Sequence, residues 1–258
     1  MFLNGNKRML KKMKYISDQE GILNRYMREK DHWQSHLNHT RKFIEEAFTD
    51  REIQTIAVLG SGWLLDCPIE KLSQRFKKIL LADIYHPPQI RKRMQQFPNV
   101  SLQEVDLSGG AVEFAWNINR HKEDYLTTYY LDFFSPEIPA LLFEPDAMIS
   151  LNLLNQLDII VVDHIKRRSN YFQKTEYDRF RKTIQEAHIE WITSKPGCLV
   201  TDVEETGIST GGESVHVPLV HTRLPEGRRN DQWIWEFDLS GTYTPNHKTI
   251  MNVKAVEW

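Results

Sequence analysis

The sequence predicts an α/β fold: a doubly wound, mostly parallel sheet, preceded by an N-terminal helical extension and ended by an antiparallel hairpin. Three observations carry this expectation. Short apolar runs alternate with amphipathic stretches from Ile56 to Val203, and strand–helix alternation pairs strands in parallel through right-handed crossovers. A long stretch of helical periodicity precedes the first strand. Two strand-like runs then end the chain with only turn residues between them, which predicts a hairpin.

The elements follow in order. Ser17-Asp18-Gln19-Glu20 has the pattern of a capping box. Beyond it, Ile22, Leu23, Tyr26, Met27, Trp33, Leu37, Phe43, Ile44, Ala47 and Phe48 recur at helical spacing, ending near Thr49-Asp50. Strands are expected at Ile56–Leu59, Ile79–Ala82, Val100–Val105, Ala147–Leu151 and Cys198–Val203. Helices are expected at Pro68–Phe76, Gln89–Phe97, Val112–Phe134 and Lys174–Ile192. Thr206–Gly227 reads as an irregular loop, and Gln232–Leu239 with Thr249–Trp258 as the hairpin. Residues 1–50 would form a tail and helical extension, and residues 51–258 the α/β domain.

A chain of 258 residues can bury a large core. Its composition, 40% hydrophobic and 26% charged, excludes a disordered tail or fibrous repeat. Lys+Arg of 33 against Asp+Glu of 35 gives a formal charge of −2, which disfavours a protein that grips a nucleic-acid backbone. Cys67 and Cys198 form no C-x-x-C pair, which excludes a disulfide scaffold or cysteine-rich zinc module and suits a reducing, cytoplasmic setting. No apolar run approaches the roughly 20 residues that cross a bilayer, and Ile159–Val162 stops at Asp163. The basic N-terminus lacks an apolar h-region and reads as a mobile tail.

Open α/β sheets bind ligands beyond the carboxyl ends of their strands. The first strand ends in Gly60-Ser61-Gly62, where missing Cβ atoms let backbone approach a ligand; a plain tight turn gives the same pattern. The second ends at Asp83, a carboxylate able to accept from two ribose hydroxyls or to cap the next helix. The third ends at Asp106, which can accept from an adenine amine or cap the segment at Gly109-Gly110.

Glycine loop, acid and second acid, in this order, resemble the class I (Rossmann-like) S-adenosylmethionine-dependent methyltransferases over roughly Thr55–Trp258. The resemblance implies a seven-stranded sheet with the last strand inserted antiparallel, and S-adenosylmethionine as cofactor. It would set Gly60, Ser61 and Gly62 against the amino-acid portion, Asp83 on the ribose, Ile84 in the adenine pocket, and Asp106 with Leu107 at the base. The family's acid before the first glycine is Val58 here and its third glycine is Leu64; Asp66 reads as the start of the following helix.

Such enzymes often place a polar residue at the end of the fourth strand, beside the methyl group. Ser150 and Asn152 match that position loosely, Ser150 on the cofactor and Asn152 as a catalytic residue or a helix cap. The chain has no N-P-P-Y or D-P-P-Y motif, which argues against the common amine-methylating DNA and protein enzymes. His164 and His188 are candidates for a general base, or structural histidines. His36 and His39, at i, i+3, lack a carboxylate partner motif and are not read as metal ligands. Tyr26, Arg28, Trp33 and His36 of the first helices are the residues by which an extension would close over the site, or pack on the sheet. The basic run from Lys166 to Lys182 reads as a solvated face, and Trp233, Trp235 and Phe237 as one packed face of a strand.

The expectation is therefore methyl transfer to a small or medium-sized acceptor, with no membrane partner. The rivals are a binding or scaffolding module that keeps the fold, and a nicotinamide-dependent oxidoreductase, whose third fingerprint glycine is Leu65 here.

Overall fold

The computed structural model describes residues 4–118, 130–169 and 171–258. Among the described residues, eight strands make one sheet: β1 (Thr55–Leu59), β2 (Lys78–Asp83), β3 (Val100–Glu104), β4 (Ala147–Leu151), β5 (Gly197–Ser209), β6 (Ser214–Pro218), β7 (Arg229–Asp238) and β8 (His247–Glu257). Their order is β3-β2-β1-β4-β5-β8-β7, with β6 paired to the distal part of β5. Strands β1 to β5 run parallel in this path. Strand β8 is inserted antiparallel between β5 and β7. This seven-strand path is the one the resemblance implies.

Strand β6 is the departure. The loop expected over Thr206–Gly227 is instead the end of β5 followed by a short antiparallel return, Glu204 facing Pro218 and Ile208 facing Ser214. The glycines that suggested a loop serve the turn, where Gly212 takes φ +84°, while the Ser214-Val215-His216-Val217 alternation pairs as strand.

Alternation along the central strands explains why both faces are covered. Ile56, Val58, Ile79 and Leu81 enter one core, and Ala57, Leu59, Leu80 and Ala82 enter the other, as period-two side chains must. The first core is closed by α2 (Tyr15–Glu46), α3 (Ile69–Arg75), α4 (Pro88–Met94) and the hairpin. The second is closed by α1 (Asn4–Met13), α5 (Ala111–Asn117), α6 (Gln156–Lys166) and α7 (Lys174–Thr193).

Tyr15 belongs to the second core and Trp33 to the first. Helix α2 thus crosses the carboxyl edge of the sheet, where ligands of such sheets bind. It bends at Glu29 (φ −100°, ψ 18°), whose buried carboxylate accepts from the backbone N–H groups of Leu239 and Ser240 at 3.3 Å each.

Other expectations need correction. The N-terminal segment read as a mobile tail is helix α1, because Leu10 and Met13 find apolar partners in the second core. Ser17 is no cap: its hydroxyl donates to the Lys14 carbonyl inside a helix that began at Tyr15. The helix expected over Val112–Phe134 is α5 followed, beyond residues outside those described, by a 3₁₀ turn at Tyr130–Phe133. Helix α6 was not anticipated, although Leu157, Val161, Val162 and Ile165 make its buried stripe. Among the described residues no helix is long and apolar enough to cross a membrane.

Candidate active site

A cavity of about 250 Å³ opens at the carboxyl ends of β1 to β5, under helix α2. Its floor is the loop after β1. Gly60 (φ +83°) and Gly62 (φ +40°) hold left-handed backbone, and the Gly60 N–H donates to the Ala82 carbonyl at 2.9 Å. The two glycines are required for different reasons. A Cβ on Gly60 would sit 2.6 Å from the Leu151 carbonyl oxygen, whereas one on Gly62 meets Asp83 Oδ2 only at 3.8 Å. Leu64, at the family's third glycine, keeps a left-handed backbone (φ 55°), a conformation costing roughly 1–2 kcal/mol for a residue with a Cβ. Its side chain is buried in the first core, which offsets that cost. Val58, at the position of the family's acid, is wholly buried in the same core.

Asp83 closes the loop. Its Oδ2 accepts from the Gly62 N–H at 2.8 Å, and its Oδ1 from the Gln19 side chain at 3.2 Å and the Tyr85 N–H at 3.4 Å. It caps no helix, since α4 starts after Pro87 without a side-chain cap. Burial pushes its carboxyl up to about 6, against the pull of the Gly62, Tyr85 and Ile84 N–H groups. Ile84, Leu107 and Ser108 line the same end of the cavity. Asp106 lines it too, but Oδ1 accepts from Ser108 and Oδ2 from the Val112 N–H at 3.3 Å. Asp106 therefore fastens the start of α5 as well as facing the cavity.

The other end lies beyond β4 and β5. Asn152 takes a left-handed backbone (φ 45°), which asparagine tolerates. Its side-chain N–H donates to Asp66 at 2.5 Å and lies 3.5 Å from His36 Nε2. Asp66 thus binds Asn152 rather than starting α3, whose first residue is Ile69. Burial raises the Asp66 carboxyl and pushes Asp202 up to about 7, with the Asp66 charge adding to it.

The β5–β8 register slips by one residue between Asp202 and Glu204. The extra residue shifts the alternation, and both Asp202 and Glu205 line the cavity. Helix α2 and the hairpin supply the cover. Arg25 lies over the rings of Phe237 and Tyr243 at 4.4 and 4.6 Å. His36 stacks on Trp235 at 3.9 Å and accepts from the Trp233 indole N–H at 3.1 Å; burial pushes it down to about 3, so it is neutral.

Of the residues singled out from sequence, Gly60, Ser61, Gly62, Asp83, Ile84, Asp106, Leu107, Asn152, Trp33 and His36 come together here. Ser150 and His164 do not. Ser150 points under α7, its hydroxyl 2.9 Å from His188 Nε2, so neither it nor His188 reaches the cavity. His164 is buried on α6 beside Trp116, at 5.9 Å between rings, and burial among Arg167 and Arg168 pushes it down to about 4. It does not line the cavity and is a packed histidine. Arg28 pairs with Asp238 at 3.6 Å, and Tyr26 packs on Trp33 at 5.8 Å. The basic run is largely engaged: Lys174 with Asp178, Arg179 with Asp132, Arg181 with Asp158 and Lys182 with Glu186. Among the described residues no group of three or more His, Cys, Asp or Glu could hold a metal ion.

Sequence reasoning missed Gln19, Arg25, Asn155, Asp202 and Glu205, all of which line the cavity. A signal was present. Gln19, Ile22, Arg25, Trp33 and His36 share one helical stripe, and polar residues on an apolar stripe mark a face turned to something other than core. Asp202, likewise, is a lone charge inside a buried strand.

No protein-family profile and no curated protein sequence matches the chain. Its fold is similar to that of several proteins solved with S-adenosylhomocysteine, two of them methyltransferases. One is a Burkholderia thailandensis 1,6-didemethyltoxoflavin-N1-methyltransferase with bound 1,6-didemethyltoxoflavin and S-adenosylhomocysteine (11% identity, TM-score 0.45, 99% of this chain and 92% of that one). Another is the N-methyltransferase NodS from Bradyrhizobium japonicum WM9 with S-adenosylhomocysteine (11% identity, TM-score 0.39, 85% of each chain). A third is DhpI with S-adenosylhomocysteine (11% identity, TM-score 0.41, 97% of this chain and 98% of that one).

Proposed function

We propose that the chain is an S-adenosylmethionine-dependent methyltransferase acting on a small or medium-sized acceptor. The observation that carries this reading is one continuous cavity that joins the Gly60–Gly62 cradle and Asp83 to a second, aromatic and acidic end. The residues present suit the cofactor. Open backbone at Gly62 leaves room for close approach, Asp83 offers a carboxylate for ribose hydroxyls, and Ile84 with Leu107 gives apolar walls for a base. Asp106 retains acceptor capacity beyond the bonds it makes within its loop, since a carboxylate has about four acceptor positions.

The cofactor supplies an activated methyl group on a sulfonium. What remains for the protein is alignment, worth roughly 7–11 kcal/mol of barrier when two reactants are held in a reactive geometry. Trp33, Trp235 and Phe237 would orient the acceptor, and Asn152 and Asp202 would face its reacting atom. Ser150 and His164 are not part of this proposal. An acid-lined cavity and a formal charge of −2 support a small-molecule acceptor over a nucleic acid.

The oxidoreductase reading loses ground on two features. Leu65 replaces the third fingerprint glycine, and β8 is inserted antiparallel where a dinucleotide-binding sheet continues in parallel. The scaffold reading is separated by binding. Thermal melts with S-adenosylhomocysteine and with NADH test all three: the methyltransferase reading expects stabilisation by the first alone. Stabilisation by NADH alone would establish the oxidoreductase, and by neither the scaffold.

A further inference from the structure

We infer that the acceptor is a basic amine, bound as its ammonium against Asp202 and Asn155, with Asp202 taking the proton that frees the nitrogen lone pair. This rests on the methyltransferase reading for its functional meaning, but the ammonium site stands on its own geometry.

Four buried acceptor oxygens on residues that line the cavity have no hydrogen-bond partner: Asp202 Oδ1, Asn155 Oδ1 and Asn152 Oδ1, and Gln19 Oε1 on the residue whose amide N–H donates to Asp83. Asp202 and Asn155 are only 4% and 5% exposed, and burying such groups without a partner is costly. Their orientations are fixed from behind. Asn155 turns its N–H group to Asp202 Oδ2 at 3.4 Å and Asn152 turns its own to Asp66, so both amides present their oxygens. A primary ammonium carries three N–H donors and no acceptor, which matches a wall of unpaired acceptors. A hydroxyl would satisfy one of them, and a carboxylate none.

Charge agrees with hydrogen bonding. Among the described residues, Asp18, Asp66, Asp202 and Glu205 line the cavity with Arg25, whose guanidinium lies over the Phe237 and Tyr243 rings and whose buried Nε has no hydrogen-bond partner. His36 is neutral. Trp33, Trp235 and Phe237 provide an apolar wall, against which an ammonium-bearing group gains cation–π attraction.

The proton step balances within the chain. The ammonium N–H bond breaks, its electron pair stays on nitrogen, and the proton forms an O–H bond at Asp202 Oδ1. A cationic acceptor and an anionic carboxylate become a neutral amine and a neutral acid. Burial already brings the Asp202 carboxyl to about 7, so proton uptake near neutral pH is accessible.

The test uses a matched pair of probes, 2-phenylethylamine and 2-phenylethanol, titrated by ligand-observed NMR into protein saturated with S-adenosylhomocysteine. The amine is expected to bind at least tenfold more tightly than the alcohol. Asp202→Asn should remove that preference while leaving affinity for S-adenosylhomocysteine within about twofold, and Asn155→Ala, which removes both an acceptor oxygen and the hydrogen bond to Asp202 Oδ2, should weaken the amine as well. Equal binding of the two probes, no binding of the amine, or a preference that survives Asp202→Asn overturns the inference. Failure of S-adenosylhomocysteine to bind, with the amine preference intact, instead overturns the methyltransferase reading and leaves the ammonium site standing.

Discussion

At the scale of single residues, the cavity concentrates groups whose folded environment opposes their charge. Asp202 is the sharpest case. Its carboxyl rises from 3.8 to about 7, chiefly through burial, with Asp66 and Glu205 adding to it and Asn155 opposing. A raised carboxyl binds its proton more tightly in the folded than in the unfolded chain, so stability falls as pH rises between those values. Asp202→Asn removes that penalty. Thermal melts should show the variant gaining on the native chain at pH 8 and hardly at all at pH 4; equal shifts at both would contradict the burial argument. The glycines divide in the same way. Gly60→Ala meets the Leu151 carbonyl and a left-handed backbone, and should lose on the order of 1–3 kcal/mol in denaturant unfolding. Gly62→Ala meets the strain of a left-handed backbone but no steric clash; it should lose less stability than Gly60→Ala and show weakened S-adenosylhomocysteine binding in titration, because its Cβ would occupy the approach to Asp83.

At the scale of elements, helix α2 links stability to the site. Trp33 is 1% exposed, donates to the Phe237 carbonyl at 2.9 Å and packs edge-on against Trp235 at 4.7 Å. Trp33→Ala should cost about 3–5 kcal/mol by chemical denaturation and loosen the cover over the cavity. The preference for packing at Trp33 was legible from its place on an apolar stripe. Parallel strands were legible as well, since residues buried on both faces leave short apolar runs such as Ile56–Leu59. Strand β6 was not, because Val215 and Val217 are exposed and its pairing depends on β5 running past the expected end at Val203. Helix α6 was hidden because Ile159–Val162 is apolar all round, and an all-apolar run has no readable period. The far end of the cavity was only partly legible: Asp202 stands out as a charge inside a buried strand, whereas Glu205 joins it through a slip in register that no local pattern encodes.

At the scale of the whole molecule, the antiparallel insertion of β8 brings the aromatic face of β7 to the sheet edge where α2 crosses. The glycine loop sits on β1 in the middle of the sheet, with Asp83 and Asp106 on one side and Asn152 and Asp202 on the other. That arrangement gives one cavity with two chemically different ends, which is the requirement for bringing two substrates together. The order of glycine loop and acids was readable from strand ends alone; the identity of the second end needed the folded chain. The most direct measurement is a calorimetric titration of the native chain and of Asp83→Ala with S-adenosylmethionine, S-adenosylhomocysteine and NADH. Saturable micromolar binding of both sulfur ligands, weakened at least tenfold in Asp83→Ala and absent for NADH, is the expected result. Folded native protein that binds neither sulfur ligand would contradict the account.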